Sequence, residues 1–299
     1  MRLPKQYDIR VPKNGAFTIQ TNPEFIQLHG VILACARRGT GKTCAFSNLL
    51  RLMKENNALD RLIVVSPTFS NNRHYFEGLP LDEENDIIEP QKDTAERLIT
   101  ILEAEGKEYD QYHEEMRAWE EFQKFKKGRR KIDDIDPFHL LIWNEYPDML
   151  DEIPKPTHRY NGRKPTIAIL FDDCQGSDLF KPSSKLSNLV IKHRHLGQTQ
   201  DGSLGCTLLF ATQSYTSNSA GLPKSIRSNL THMMVFKTKN KKELEAIAEE
   251  CAGEVFPEQF YALYNKAIQS PHDFMLIDFA KKKEHPSMFR QNFNEFLLI

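Results

Sequence analysis

At 299 residues, with 39% hydrophobic and 27% charged residues, the chain has a globular composition and is long enough for one large α/β domain or two ordinary ones. A formal net charge of −1 and a pI near 6.8 exclude global attraction to nucleic acid, so any such contact must come from local basic patches. Five cysteines, odd in number, scattered and never in C-x-x-C spacing, argue for reduced thiols in a cytosol-like compartment and suggest no zinc site.

The first residues lack the apolar core of a signal peptide, and no run approaches the length of a membrane span, so a soluble protein is expected. Pro4, Pro12, Gly15 and Pro23 punctuate short apolar alternations over residues 1–24, which predicts an N-terminal hairpin or arm ahead of a main domain over 25–299. Phe25 to Cys35 reads as the first core strand. Phe46, Leu49, Leu50 and Met53 recur at helical spacing after Lys42 and predict an amphipathic helix that stops in the 55–60 turn. Arg61 to Pro67 is a continuous apolar run closed by proline, as in a strand buried on both faces of a parallel sheet.

From Thr94 the pattern is helical and strongly charged, with Leu98, Ile101, Leu102, Tyr109, Tyr112, Met116, Trp119, Phe122 and Phe125 as its packed stripe. Residues 90–160 therefore read as a charged helical insertion. Further strands are predicted at Thr166–Asp173, Cys206–Gln213, Thr231–Phe236 and Phe274–Phe279, with helices at Ser184–His195, Lys241–Cys251 and Pro257–Ile268. Strands alternating with helices imply an α/β fold with a mostly parallel sheet covered on both faces.

Two motifs carry chemistry. In Ala36-Arg37-Arg38-Gly39-Thr40-Gly41-Lys42-Thr43, followed by Cys44, glycines between a strand and a helix let backbone N–H groups point around a polyphosphate at the positive end of the helix. Lys42 would reach the β- and γ-phosphates of ATP, and the Thr43 hydroxyl would hold Mg²⁺. Ala36 replaces the first glycine of the usual pattern, at little cost if its φ is negative. The second motif, Ile169-Leu-Phe-Asp172-Asp173, ends a buried strand in two acids, the Walker B pattern. Asp172 would orient Mg²⁺ through its waters, and Asp173 would polarise the attacking water. Gln213 closes the next strand and should face the same edge, as ligands collect at the carboxyl ends of parallel strands. Arg194 and Arg227 are candidates for an arginine offered to a neighbouring subunit, each read as flanking a loop on that edge.

The order of these segments, continued by Lys192-His-Arg-His-Leu-Gly197, Ala211-Thr-Gln213 and Leu222 to Asn229, resembles the FtsK/HerA superfamily of DNA-pumping ATPases. Within it the chain looks like the poxvirus-type genome-packaging ATPases of large DNA viruses and virophages. The resemblance covers roughly residues 25–240. It implies a P-loop NTPase fold of the ASCE/RecA-like kind, ATP at Gly39, Gly41, Lys42 and Thr43, Mg²⁺ and water handling at Asp172 and Asp173, and γ-phosphate sensing at Gln213. It further implies a pentameric or hexameric homo-oligomer ring that pulls double-stranded DNA into a capsid, with capsid or portal-vertex proteins as partners and a virion or host-cytoplasm location. Asp173 departs from the glutamate that many such ATPases carry.

Sequence-independent DNA contacts would fall on the basic clusters Gly128–Lys131, Lys155–Lys164 or Lys237–Lys242. The same motifs would also serve a helicase or a conjugative-type pump, and a capsid-vertex protein could bind ATP without turnover. A guanine-nucleotide switch is opposed by Glu243, where Asn240-Lys-Lys would need Asp to follow.

Overall fold

The structure, a computed structural model, describes residues 26–145, 153–216, 222–253 and 255–298. The arm expected over 1–24 lies outside the described residues. Among the described residues nine strands form one sheet, which runs from β11 (Glu295–Phe296), β10 (Phe289–Gln291) and β9 (Phe274–Asp278) through β8, β1, β7, β4 and β2 to β3, while β5 (Gln198–Thr199) and β6 (Gly202–Ser203) pair separately. Six of them are parallel: β8 (His232–Phe236), β1 (Val31–Cys35), β7 (Thr207–Thr212), β4 (Ile167–Asp172), β2 (Arg61–Val65) and β3 (Ile87–Ile88). The strand β7 therefore lies between β1, which leads into the Gly-rich loop, and β4, which ends in Asp172. Stacking of Phe171 on Phe210, with centroids 4.6 Å apart, locks β4 to β7.

Alternation along β1 explains the two layers, because successive side chains of a strand face opposite sides. Val31, Leu33 and Cys35 join one buried cluster, while Ile32 and Ala34 join the other. Helix α1 (Lys42–Glu55) covers the second face with Phe46, Leu49, Leu50 and Met53, each at most 2% exposed and each contributing roughly 1.5–3 kcal/mol of burial. On the first face lie the start of α3 (Thr94–Lys126), α5 (Leu186–Lys192), α7 (Lys241–Cys251) and α8 (Pro257–Ala267).

Two local expectations are corrected, and the sheet adds an antiparallel side. The first strand begins at Val31 rather than Phe25, since His29 turns the chain with a φ of 54° just before it. The helix expected over 184–195 is only Leu186–Lys192. It starts late because Lys185 has a φ of 58°, outside the helical region. The far side of the sheet is antiparallel: β9 (Phe274–Asp278) runs against β8, and β10 (Phe289–Gln291) and β11 (Glu295–Phe296) extend it as a hairpin turning at Asn292, φ 52°.

Helix α3 is 33 residues long, about 50 Å at 1.5 Å per residue. Ala95, Leu98 and Leu102 bury in the main core, and Glu105 reaches Arg61 at the start of β2, with Nη1 and Oε2 2.7 Å apart. There the backbone of Gly197 and Gln198 crosses so closely that a Cβ on Gly106 would lie 2.8 Å from both Gln198 O and Gly197 C. Beyond this point the helix leaves the sheet at its amino edge. Its far half packs with α4 (Pro137–Asn144) in a separate cluster of Ala118, Phe122, Ile135, Trp143 and Ile153, leaving Ile132, Phe138 and Leu141 exposed. Among the described residues no helix is long and apolar enough to cross a membrane.

Candidate functional site

Every parallel strand ends on one edge of the sheet, and a cleft of about 740 Å³ opens there over the tip of β1. The Gly-rich loop forms its floor. Gly39 and Gly41 have φ of 78° and 99°, in the region that L side chains rarely adopt, and the imidazole of His272 would lie 3.2 Å from a Cβ on Gly41. Ala36, buried, is not among the residues of positive φ, so alanine fits where the pattern usually has glycine. Its N–H donates to Thr212 O at 3.0 Å, anchoring the loop to β7.

Lys42 opens α1 and folds back over the loop, its ammonium donating to the carbonyls of Ala36 at 2.6 Å and Arg37 at 3.1 Å. Burial lowers its pKa from the ordinary lysine value, and the nearby carboxylates of Asp172 and Asp173 oppose that shift. The Thr40 hydroxyl donates to Arg37 O at 2.8 Å and closes the turn. Arg37 and Arg38 are exposed, and Arg38 and Cys44 both line the cleft.

Two strands away, Asp172 is 4% exposed, and the Thr43 hydroxyl lies 3.2 and 3.3 Å from its two oxygens. Burial raises the Asp172 pKa from its ordinary value, and the hydrogen bond from Thr43 works against that rise. A hydroxyl beside a carboxylate is a pair of hard oxygen donors, so the residues present fit Mg²⁺. Asp173 follows with a φ of 56° and accepts a 3.0 Å hydrogen bond from Gln213 Nε2. Lys42, Thr43, Asp172, Asp173 and Gln213 thus face one cleft.

The two arginines stand elsewhere. Arg194 was expected on the carboxyl edge but lies at the amino edge, where burial, then His193 and Arg194, lower the pKa of His29, and where His193 Nε2 donates to the His29 carbonyl at 2.8 Å. The physical reason is that Arg194 follows a helix, and helix-to-strand loops of a parallel sheet return to the edge opposite the site. Arg227 is held within its own chain, pairing with both Glu250 oxygens at 3.0 Å over the Tyr215 ring. Neither lines the cleft.

Asn72 and His272 are cleft residues that sequence reading does not single out. Asn72, at the end of the short helix α2 (Phe69–Asn72), donates to Asp172 Oδ2 at 3.4 Å. It follows the carboxyl end of β2, so the strand-end rule applied to that strand would find it. His272, just before β9, donates from Nδ1 to Thr40 O at 3.2 Å, and only an antiparallel β9 places it there.

The basic clusters differ in their commitments. In Lys155–Lys164, Arg159 pairs with Glu105, Arg163 with Asp60 and Lys164 with Asp201. Gly128–Lys131 stands at the far end of α3, with Arg130 on Glu121. Lys237, Lys239, Lys241 and Lys242 are exposed just past β8, at the cleft edge.

No protein-family model matches the chain, and no curated protein matches it either. Solved structures similar to it include the genome packaging NTPase B204 from Sulfolobus turreted icosahedral virus 2 in complex with sulfate, at 10% identity and a TM-score of 0.46, over 91% of this chain and 99% of that one. EssC (ATPases 2 and 3) from Geobacillus thermodenitrificans aligns at 14% identity and 0.43, over 89% of this chain and 40% of that one. The pCW3 conjugation coupling protein TcpA aligns at 13% and 0.41, over 89% and 61%.

Proposed function

We propose that the chain is a P-loop ATPase that hydrolyses ATP with Mg²⁺ and couples the reaction to moving double-stranded DNA, packaging a viral genome into a capsid as a pentameric or hexameric ring. The observation that carries the catalytic part is the meeting of Lys42 and Thr43 with Asp172, Asp173 and Gln213 in one cleft. The order of the sequence motifs supports the DNA-pumping part.

The chemistry follows from these side chains. Backbone N–H groups of residues 39–43 and the Lys42 ammonium, turned from the Ala36 and Arg37 carbonyls, would cradle the β- and γ-phosphates. Thr43 and Asp172 would hold Mg²⁺, which when bound neutralises charge growing on the γ-phosphate. Asp173 accepts a proton from the attacking water, and Gln213 fixes the carboxylate by donating to Oδ1. An intact acid pair favours turnover over passive nucleotide binding.

The test is ATP hydrolysis by the purified chain with and without duplex DNA. Mg²⁺-dependent turnover, stimulated by duplex of any sequence and weakening steeply with salt, is expected, with triplex displacement but no strand separation. Preference for GTP, or strand separation, would replace this reading with the switch or the helicase. A wild type as inactive as Asp173→Asn would leave only a nucleotide-binding vertex protein.

A further inference from the structure

The cleft continues well past the groups that would handle phosphate. Lys42, Thr43, Asp172, Asp173 and Gln213 lie at β1 or on its β7–β4 side. The opposite wall is built by the antiparallel strands, from His272, Asp273, Phe274, Asn292, Phe293 and Asn294. Because β9 runs against β8, its first residue opens on the edge where the parallel strands end. Pairing of Gln291 with Met275 brings the β10–β11 turn to the same place. From β4 to β9 there are four strand spacings, roughly 19 Å at about 4.8 Å each, the reach of an extended nucleoside triphosphate.

The turn is built rigidly. Asn292 N–H donates to Phe274 O at 2.9 Å, and Asn292 Oδ1 accepts from Phe274 N at 3.1 Å. Asn292 Nδ2 donates to Asp273 Oδ1 at 3.0 Å. Phe293 is half-buried, meeting the Phe274 ring at 68° with centroids 5.0 Å apart, and still lines the cleft. His272 ties this wall to the phosphate loop through Thr40 O.

We propose that Phe293 is the nucleobase platform of the site, the base stacking on its ring while the triphosphate runs past His272 into the Gly39–Thr43 loop. This rests on the nucleotide-binding reading above. Every base has a flat π-face, and a ring already fixed by its turn loses little freedom when a base lands on it.

The experiment compares two probes on the full chain by calorimetry, Mg·ATP and Mg·tripolyphosphate, the second being the phosphate part alone. Wild type should bind ATP more tightly than tripolyphosphate. Phe293→Leu, which keeps the apolar packing but not the flat ring, should weaken ATP about tenfold and leave tripolyphosphate unchanged. Phe293→Tyr should retain ATP affinity. Lys42→Ala should lose both probes. A Phe293→Leu chain that weakens both probes alike, or neither, overturns the assignment while leaving the phosphate loop intact. A wild type that binds neither probe overturns the nucleotide reading itself. A measurement without any variant guards against misfolding: bound ATP should show transferred NOEs from its adenine protons to a phenylalanine ring, and their absence counts against Phe293.

Discussion

The Thr43 hydroxyl lies 3.2 and 3.3 Å from the two carboxylate oxygens of Asp172, a residue 129 positions further along the chain. Asp172→Asn should therefore cut Mg²⁺-dependent hydrolysis by about a hundredfold or more, with nucleotide affinity in EDTA unchanged. Asn72→Ala removes the further donor to Asp172 and should raise the Mg²⁺ needed for half-maximal rate by about tenfold. A Mg²⁺ titration of the three proteins checks both. Equal metal dependence throughout would remove Asp172 from the metal site.

Asp173 occupies left-handed backbone, φ 56°, where Asp and Asn are tolerated better than longer side chains. That explains the departure from glutamate. Asp173→Asn should fold as wild type yet lose hydrolysis, whereas Asp173→Glu should lose about 1 kcal/mol of stability. Urea denaturation beside a phosphate-release assay separates the two, and a fully stable, fully active Asp173→Glu would show that the backbone imposes nothing there.

Gly106 lies in the interior of α3, where alanine would ordinarily stabilise a helix by about 0.5–1 kcal/mol. Here the added Cβ would press on backbone atoms 2.8 Å away, which cannot rotate aside. Gly106→Ala should accordingly destabilise by about 1–3 kcal/mol, the cost of overpacking. A raised melting temperature would contradict the close crossing with Gly197 and Gln198.

Acid should weaken the fold before the carboxylates titrate. Burial holds His29 and His232 down to about 4 from the ordinary 6.5, and lowers His158 and His193 in the same direction. Between pH 6.5 and 4 the unfolded chain binds protons there that the folded chain does not, so this stability is full above 6.5 and lost as pH falls through the window. Asp172, shifted upward, works in the opposite sense with one proton. Each of the two histidines should account for up to roughly 3 kcal/mol. Unfolding free energies from pH 7.5 to 4.5 should slope accordingly, and His232→Gln should flatten the slope by about one proton.

Much of this was open to sequence reading because two rules acted together. Continuous apolar runs such as Leu62–Val65 mark strands buried on both faces, and parallel strands end on one edge, so Asp172 and Gln213 had to meet the loop at Lys42. Direction is what a buried run conceals. Phe274–Asp278 is apolar in the same way whichever way it points, so the antiparallel turn that delivers His272 and Phe293 to the cleft stayed hidden. Arg194 went astray for a related reason, its loop having been assigned to the wrong end of the sheet.

Helix α3 is packed on the main core over its first dozen residues, and beyond Glu105 it is held from the side, by the backbone of Gln200 on Asp110 and of Gly162 on His113, and then by α4. Where it leaves the sheet, the Arg61–Glu105 pair ties it to the foot of β2, and the other end of β2 leads to Asn72, which touches Asp172. One continuous element of 33 residues thereby joins the core beneath β2 to the end where α4 leaves Phe138 and Leu141 exposed.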